Sequence, residues 1–142
     1  MCNRDQGPNQ EQYATKGGID VAREEVLVID DNQIIRDVLT RLLESEGYSV
    51  TCCADGMSAI ALAKEKRFGT FIVDYCMPCM NGDEVTLLLR QSYPEAFIIG
   101  FSAEHKDRAF LMAGANTFML KDDIDKQLPP LLKANRLFVS LS

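Results

Sequence analysis

The chain has 142 residues, 46% of them hydrophobic and 25% charged, which fits one globular domain with a core of useful size. Its formal net charge of −6 argues against direct, non-specific nucleic-acid binding, because phosphate contacts need clustered Lys and Arg. No apolar run approaches the roughly 20 residues that span a bilayer, and the N-terminus lacks a signal-peptide pattern. We therefore expect a cytoplasmic protein that makes no contact with membranes.

Residues 1–23 form a polar segment with several turn-forming residues, and we predict that they are a flexible N-terminal leader. A folded domain is expected over residues 24–135, followed by a C-terminal tail over residues 136–142. The tail is more apolar than a solvated tail needs to be. Packing on the domain surface, contact with a second copy in a homodimer, and a link to a further domain are three open interpretations of it.

The domain alternates between short apolar, β-branched runs and segments whose apolar residues recur at helical spacing. Strands are predicted at residues 26–29, 48–53, 71–73, 97–101 and 117–120. Helices are predicted through residues 34–43, 55–63, 84–90, 109–113 and 124–132, the last one kinked or interrupted by Pro129 and Pro130. This alternation predicts the α/β class with a doubly wound five-stranded parallel sheet, for which we expect the common strand order 2-1-3-4-5.

Polar side chains follow four of the five predicted strands. Asp30 and Asp31 come after the first strand, Asp74 after the third, Ser102 after the fourth and Lys121 after the fifth. Ligands of open parallel sheets bind beyond the carboxyl ends of the strands, where the strand order reverses. Since the first and third strands are neighbours in this order, we expect three carboxylates at one edge, with Ser102 and Lys121 approaching from the other side.

Three carboxylates at one edge repel one another, and a hard divalent cation with oxygen ligands relieves that repulsion. We therefore expect Mg²⁺ as the cofactor, with Mn²⁺ as a substitute. The cation, the Lys121 ammonium and the Ser102 hydroxyl can neutralise a phosphoryl group, which predicts that Asp74 is a nucleophile that forms an acyl phosphate. Taken singly, each residue is as well explained as a helix cap, a turn former or a solvated side chain.

The strand-end residues occur together with a distinctive run, Asp74-Tyr75-Cys76-Met77-Pro78-Cys79-Met80-Asn81-Gly82. With Asp30-Asp31, Ser102-Ala103 and Lys121, this run resembles the receiver domain of two-component response regulators over about residues 25–133. The resemblance implies a flavodoxin-like, CheY-like (βα)5 fold. It also implies that a histidine kinase or a histidine phosphotransfer protein phosphorylates Asp74. The chain would then be no enzyme beyond its own Mg²⁺-dependent phosphorylation and dephosphorylation.

The same resemblance implies a set of metal ligands. Asp31 and Asp74 would bind Mg²⁺ directly, and Asp30 would bind it through water. The backbone carbonyl of Cys76 would complete the protein ligands.

A switch is implied as well. Phe118 matches the family's switch aromatic, which turns inward when Ser102 moves towards the phosphoryl group. The chain would then act as a single-domain response regulator, changing its affinity for a downstream protein that the sequence does not identify.

Asp122 follows Lys121 at a position where the family usually has Pro. A cis bond before a non-proline residue costs about 2.5–4 kcal/mol, so we predict a trans bond and a different loop shape. Asp122 also keeps open the alternative of a degenerate receiver that binds partners without being phosphorylated. A phosphohydrolase with an aspartyl intermediate is a further alternative, although Cys76 stands where its second acid would be needed.

The spacing Cys76-x-x-Cys79 matches a thiol redox or metal motif. The chain has a single histidine, His105, and no second cysteine pair at a zinc-like spacing, which disfavours a zinc site. Cys52 and Cys53 are interpreted as strand packing, because free cysteine behaves as a small hydrophobe. The odd number of five cysteines does not indicate a disulfide framework.

Overall fold

The structure is a computed structural model that describes residues 13–16, 19–22 and 24–141, with side chains described over residues 24–136. Within the predicted leader, Tyr13–Lys16 pairs antiparallel with Ile19–Ala22, two strands that the sequence pattern did not predict. Residues 1–12, 17, 18 and 23 lie outside the described residues. The flexibility of the leader stays a prediction.

One parallel sheet of five strands organises the domain. Its strands are β1 (Glu25–Ile29), β2 (Ser49–Cys53), β3 (Thr70–Asp74), β4 (Phe97–Ser102) and β5 (Thr117–Leu120). Their order is β2-β1-β3-β4-β5 and every neighbouring pair is parallel, which confirms the predicted order 2-1-3-4-5. The register sets Asp74 opposite Phe101 and Ser102 opposite Leu120, so the strand ends meet at one edge of the sheet.

The helices follow the strands at nearly the predicted positions. They are α1 (Gln33–Ser45), α2 (Gly56–Glu65), α3 (Gly82–Ser92), α4 (Asp107–Ala113) and α5 (Ile124–Leu141), with a 3₁₀ turn at Lys121–Asp123. Asn32 caps α1 through its side-chain oxygen, which accepts from the backbone N–H groups of Ile34 and Ile35. Asp55 caps α2 through its side-chain oxygen, which accepts from the N–H of Ser58. The helix therefore begins where the sequence predicted. The cap of α1 is thus not one of the two aspartates before it.

Alternate strand residues point to two separate cores, which explains the nearly continuous apolar strands. Beneath α2, α3 and α4 the sheet contributes Leu27, Ile29, Phe71, Val73 and Ile98. Beneath α1 and α5 it contributes Val26, Val28, Val50, Ile72, Ile99 and Phe101. Both faces of the sheet are therefore covered, and polar ligands can reach it only at its ends.

The last helix is longer than the sequence pattern predicted. α5 continues through Pro129 and Pro130, which do not interrupt it, and through most of the segment assigned to the tail. The prolines remove two backbone donors, but Leu128 and Leu132 beside them are buried against the sheet and hold the helix there. Within the described part of the chain, no helix combines the length and the apolar character that a membrane span requires.

Candidate functional site

Three carboxylates meet at the carboxyl ends of β1 and β3. Asp30 directly follows β1, and Asp74 is the last residue of β3. Carboxylate oxygens of Asp30, Asp31 and Asp74 all lie within 4.8 Å of one another. Asp30 and Asp74 are buried, with 0% and 3% of their surface exposed, whereas Asp31 is exposed. The cluster predicted from the strand ends is therefore present, and it opens to solvent on the side of Asp31.

Asp30 is held by contacts to both its side chain and its backbone. Its Oδ1 accepts a hydrogen bond of 2.8 Å from the N–H of Asn32, and its carbonyl oxygen accepts one of 2.8 Å from the Arg36 guanidinium. Its Oδ2 is buried and faces the Lys121 ammonium at 2.9 Å, which is its one polar partner among the described residues.

Lys121 bridges the two buried carboxylates. Its Nζ lies 2.9 Å from Asp30 Oδ2 and 3.0 Å from Asp74 Oδ1, and it sits 5.3 Å from the centre of the Phe101 ring. Burial by itself would lower the pKa of Lys121, but the hydrogen bonds and charges of the two aspartates outweigh burial, so the pKa stands above its usual value. Lys121 is thus a permanent cation in this site.

The loop after Lys121 differs from the family pattern in sequence. No cis peptide bond occurs among the residues that the structure describes, which confirms the trans bond predicted between Lys121 and Asp122. The chain continues from Lys121 through the 3₁₀ turn directly into α5. The Asp122 substitution is therefore compatible with the ion pairs that Lys121 makes.

Asp74 is an unusual carboxylate in the absence of a metal. Burial, and next the negative charge of Asp30, raise the pKa of Asp74 to about 6, although the hydrogen bond and charge of Lys121 act in the opposite direction. Asp31 adds a further negative charge that raises it. One lysine therefore does not balance the three carboxylates.

The donor set fits a small, hard divalent cation. The cluster offers carboxylate oxygens from three residues, and Lys121 is the one cation among the described residues that contacts the two buried ones. Mg²⁺ prefers such oxygen ligands and usually keeps several waters, for which the exposed side at Asp31 leaves room. The arrangement is consistent with the Mg²⁺ site of receiver domains.

A short loop joins Asp74 to α3 and is fixed at both ends. The N–H of Tyr75 donates to the carbonyl of Phe101 at 3.1 Å, and the N–H of Gly82 donates to the carbonyl of Tyr75 at 2.7 Å. A side chain at Gly82 would collide with the carbonyl oxygen of Asp74, so glycine is required for this close approach. Between these ends Met77 is buried, and it anchors the loop to the core.

Ser102 lies at the sheet edge, as predicted, at the end of β4. It is 4% exposed, and its Oγ accepts a hydrogen bond of 3.1 Å from the N–H of Glu104. That bond leaves the hydroxyl hydrogen available for another acceptor. Ser102 pairs with Leu120 in the sheet, and Lys121 follows Leu120, so both polar residues reach the site from neighbouring strands.

Phe118 packs in a row of aromatic rings. Its ring centre lies 5.9 Å from that of Phe110, and Phe110 makes an edge contact of 5.8 Å with Tyr75. The Lys106 ammonium sits 4.8 Å above the Tyr75 ring. Phe118 is only partly buried there, so its position in the row is not fully enclosed.

Two features of the site were not predicted from the sequence. Arg36 is buried and supports the backbone of Asp30, and its place on the face of α1 that carries Leu39 and Leu43 was a usable signal. The contact between Lys106 and Tyr75 had no such signal, because the two residues lie in different loops. Their juxtaposition depends on the order of β3 and β4 in the sheet.

Comparison with known proteins agrees with this geometry. The sequence matches the profile of the response regulator receiver domain over residues 26–132. It is 33% identical over 99 residues to the probable transcriptional regulatory protein TcrX of Mycobacterium tuberculosis, and the match covers 68% of this chain. The match spans only 42% of TcrX, so the chain is similar to part of that protein.

Solved structures resemble the whole domain. The chemotaxis protein CheY4 of Vibrio cholerae is similar with a TM-score of 0.74 and 30% identity, covering 80% of this chain and 98% of CheY4. The response regulator TrrA of Thermotoga maritima, in a crystal structure of the histidine kinase ThkA in complex with TrrA, gives a TM-score of 0.71 and 26% identity, covering 78% of this chain and 97% of the matched chain.

Proposed function

The chain belongs to the response regulator receiver domain family, and we propose that it is a switch phosphorylated on Asp74 by a histidine kinase or a histidine phosphotransfer protein. One observation carries the proposal: a single ammonium, Lys121 Nζ, lies within 3.0 Å of both Asp30 and Asp74 in a cluster of three carboxylates. Such an arrangement has the charges that a phosphoryl group and a divalent cation would complete. The complex of ThkA with TrrA supports the kind of partner.

We assign the metal ligands from the cluster and its loop. Asp31 and Asp74 would hold Mg²⁺ directly, Asp30 would hold it through water, and the carbonyl of Cys76 would complete the set. When bound, the cation neutralises negative charge on the carboxylates and on the incoming phosphoryl group. Mn²⁺ has the same preference for oxygen ligands and would substitute for it.

Asp74 is the nucleophile of the proposed transfer. One of its carboxylate oxygens forms a bond to phosphorus while the bond from phosphorus to the donor imidazole nitrogen breaks, and that nitrogen takes a proton. The reaction needs the ionised carboxylate, which prevails at neutral pH because the pKa of Asp74 is about 6. Burial is the main cause that raises the pKa, and a bound cation would lower it again by favouring the ionised carboxylate.

Lys121 and Ser102 would bind the transferred group. The Lys121 ammonium already touches Asp74 Oδ1 and can follow a phosphoryl oxygen attached there. The Ser102 hydroxyl, whose hydrogen is not engaged by its contact with Glu104, can donate to a second oxygen. Movement of Ser102 towards that oxygen would pull the loop after β4.

Phe118 would transmit this movement to the surface. An open groove of about 410 Å³ is lined by Phe118 together with His105, Leu111, Met119, Leu120 and Gln127, so the ring borders the surface that the switch would alter. Inward rotation would reshape the surface of α4, β5 and α5 and change its affinity for a downstream protein or for a second copy. We propose that the chain acts in this way as a response regulator receiver in the cytoplasm, with residues 24–135 as the receiver.

Intact-mass spectrometry tests the proposal. Incubated with Mg²⁺ and acetyl phosphate, wild type should gain the mass of one phosphoryl group, and Asp74→Asn should not. The matched control Asp37→Asn makes the same chemical change at an exposed position on α1 and should still be phosphorylated.

A second measurement guards against rapid hydrolysis of the acyl phosphate. Beryllofluoride with Mg²⁺ should raise the melting temperature of wild type more than Mg²⁺ alone, because it occupies the phosphoryl position without turnover. If wild type gains no mass and beryllofluoride has no effect although Mg²⁺ binds, the chain is a degenerate receiver and the proposal is wrong.

A further inference from the structure

The loop that joins Asp74 to α3 carries two exposed thiols, Cys76 and Cys79. We propose that these thiols are a redox-sensitive pair, and that their oxidation to an intraloop disulfide suppresses phosphorylation of Asp74. The regulatory part of this inference rests on the function proposed above. The formation of the disulfide does not depend on it.

The two thiols are held in a loop that must reverse direction. The N–H of Gly82 donates to the carbonyl of Tyr75 at 2.7 Å, so the ends of the segment between them are in contact. Met77 is buried in the core between the two cysteines, whereas both cysteines are exposed. The loop is therefore anchored on its inner side and presents its sulfur atoms on the outer side.

The sharpest curvature lies next to Cys79. Its backbone has a φ of +69°, in the left-handed region, and the N–H of Met80 donates to the carbonyl of Pro78 at 2.8 Å across it. This hydrogen bond closes a three-residue turn over residues 78–80 with Cys79 at its centre, and Cys76 stands two residues before the turn. A disulfide needs a Cα separation of about 4.4–6.8 Å, so closing it requires the backbone at Cys76 to curve towards Cys79.

The other described cysteines cannot take part in this chemistry. Cys52 and Cys53 are buried in β2, where the Cys52 sulfur contacts the Thr40 hydroxyl at 3.3 Å and the Cys53 thiol donates to the carbonyl of Asp55 at 3.7 Å. A metal role for the pair is also unsupported. Within the described residues, neither Cys76 nor Cys79 belongs to a group of three or more side chains that could share a metal ion.

Oxidation requires an external acceptor of two electrons, and we infer a hydroperoxide. One thiol attacks the peroxide oxygen to form a sulfenic acid and water, and the second thiol then displaces the hydroxyl group as a second water. In total two S–H bonds break, one S–S bond forms, and hydrogen peroxide is reduced to two molecules of water. A dithiol reductant reverses the reaction by thiol–disulfide exchange.

The disulfide would act on the site through the backbone. Because the hydrogen bond between Gly82 and Tyr75 fixes the ends of the loop, closing a bond inside it must be absorbed by the backbone from Cys76 to Cys79. The carbonyl of Cys76 is one of the proposed metal ligands, and Asp74 lies two residues before it. Disturbing groups that orient a metal ligand typically weakens metal binding or activity by about 10–100-fold, and the backbone at Cys76 orients this carbonyl.

The experiment uses the full chain, treated with hydrogen peroxide and then freed of it. Wild type should lose about 2 Da, for two hydrogens, and peptide mapping should join Cys76 to Cys79. Its rate of phosphorylation by acetyl phosphate with Mg²⁺ should fall about tenfold or more, and dithiothreitol should restore both mass and rate. The upward shift in melting temperature caused by Mg²⁺ should shrink in parallel, and that readout does not require phosphorylation.

Cys79→Ser is the decisive variant, since it removes one thiol and leaves Cys76 in place. It should keep its phosphorylation rate and its response to Mg²⁺ after peroxide treatment and form no disulfide. Cys2→Ser is the matched control and should behave like wild type. No mass loss in wild type, the same loss in Cys79→Ser, or an oxidised protein that still binds Mg²⁺ normally would each overturn the inference. Failure of the reduced protein to be phosphorylated would instead contradict the proposed function alone.

Discussion

The two ends of the sheet treat their polar groups in opposite ways. At the carboxyl end, three carboxylates lie together and the two buried ones, Asp30 and Asp74, share a single ammonium. At the other end, the Arg90 guanidinium donates to the carbonyl oxygens of Gly114, Tyr93, Pro94 and Ala96 and to the side-chain oxygen of Asn116, over distances of 2.6–3.3 Å. At the Arg90 end every nitrogen of the guanidinium donates a hydrogen bond, whereas at the carboxyl end one ammonium leaves part of the negative charge of three carboxylates uncompensated.

We infer that the Arg90 end of the sheet contributes to stability, whereas the carboxylate end serves function. Arg90 ties the loop after α3 to the loop before β5, and Asn116 passes the connection on by accepting from the N–H of Ile98 at 2.8 Å. Those contacts need no ligand to be complete. The carboxylate end is completed only by a cation or a phosphoryl group, so its energy changes when either one binds. A switch requires a site whose free energy changes when its ligand binds.

The largest expected effect comes from removing the shared ammonium. Lys121→Met leaves Asp30 and Asp74 buried without their cation, which should lower the free energy of unfolding by about 3 kcal/mol at neutral pH. Urea denaturation with and without Mg²⁺ measures it, and Mg²⁺ should recover much of the loss. The exposed Lys126→Met provides the control and should change little. Equal loss with and without Mg²⁺ would show that the carboxylates do not bind the cation.

A smaller loss in the free energy of unfolding is expected at the Arg90 end of the sheet, and Mg²⁺ should not change that loss. Arg90→Ala leaves several carbonyl oxygens without their donor and should cost about 2 kcal/mol in the free energy of unfolding. Phosphorylation by acetyl phosphate under folding conditions should be unchanged. Arg67→Ala, at an exposed position in the same end of the domain, is the control. A variant that loses phosphorylation while still folded would contradict the separation of the two ends.

The smallest effect should have the opposite sign. Because the pKa of Asp74 is raised to about 6, the folded state holds more protons than the unfolded state between about pH 4 and pH 6. The contribution of Asp74 to the stability of the wild type therefore falls as pH rises through that window. Asp74→Asn mimics the protonated side chain, so without Mg²⁺ it should be more stable than wild type by about 1 kcal/mol near pH 8.

Denaturation across pH checks the sign of that effect. The gain of Asp74→Asn should disappear below about pH 4, where the wild-type carboxyl is protonated in both states. The control Asp37→Asn should show no comparable dependence, since its side chain is exposed. A loss of stability in Asp74→Asn near pH 8 would mean that the ion pair with Lys121 outweighs burial and repulsion.

Much of the site could be predicted because its residues stand at the ends of strands. Once five apolar runs alternate with helices, a parallel sheet brings Asp30, Asp74 and Lys121 to one edge whatever the details of packing. The N-terminal strand pair and the full length of α5 were not predicted, since their sequences lack a strong periodic pattern. The place of Phe118 against Phe110 was not predicted either, because ring packing depends on residues far apart in the chain.

By itself, then, the sequence determined the alternation of elements and the residues at the strand ends, because these follow from local periodicity. The strand order was predicted as the common order of a doubly wound sheet, and the structure has that order. Only the tertiary structure decided the pKa of each titratable group and which polar groups have hydrogen-bond partners. The pKa of Asp74 depends on burial and on Asp30, which is remote in sequence, and the partners of Arg90 lie up to 26 residues away. Desolvation and hydrogen bonding are set by the complete packing around a group, which no local pattern contains.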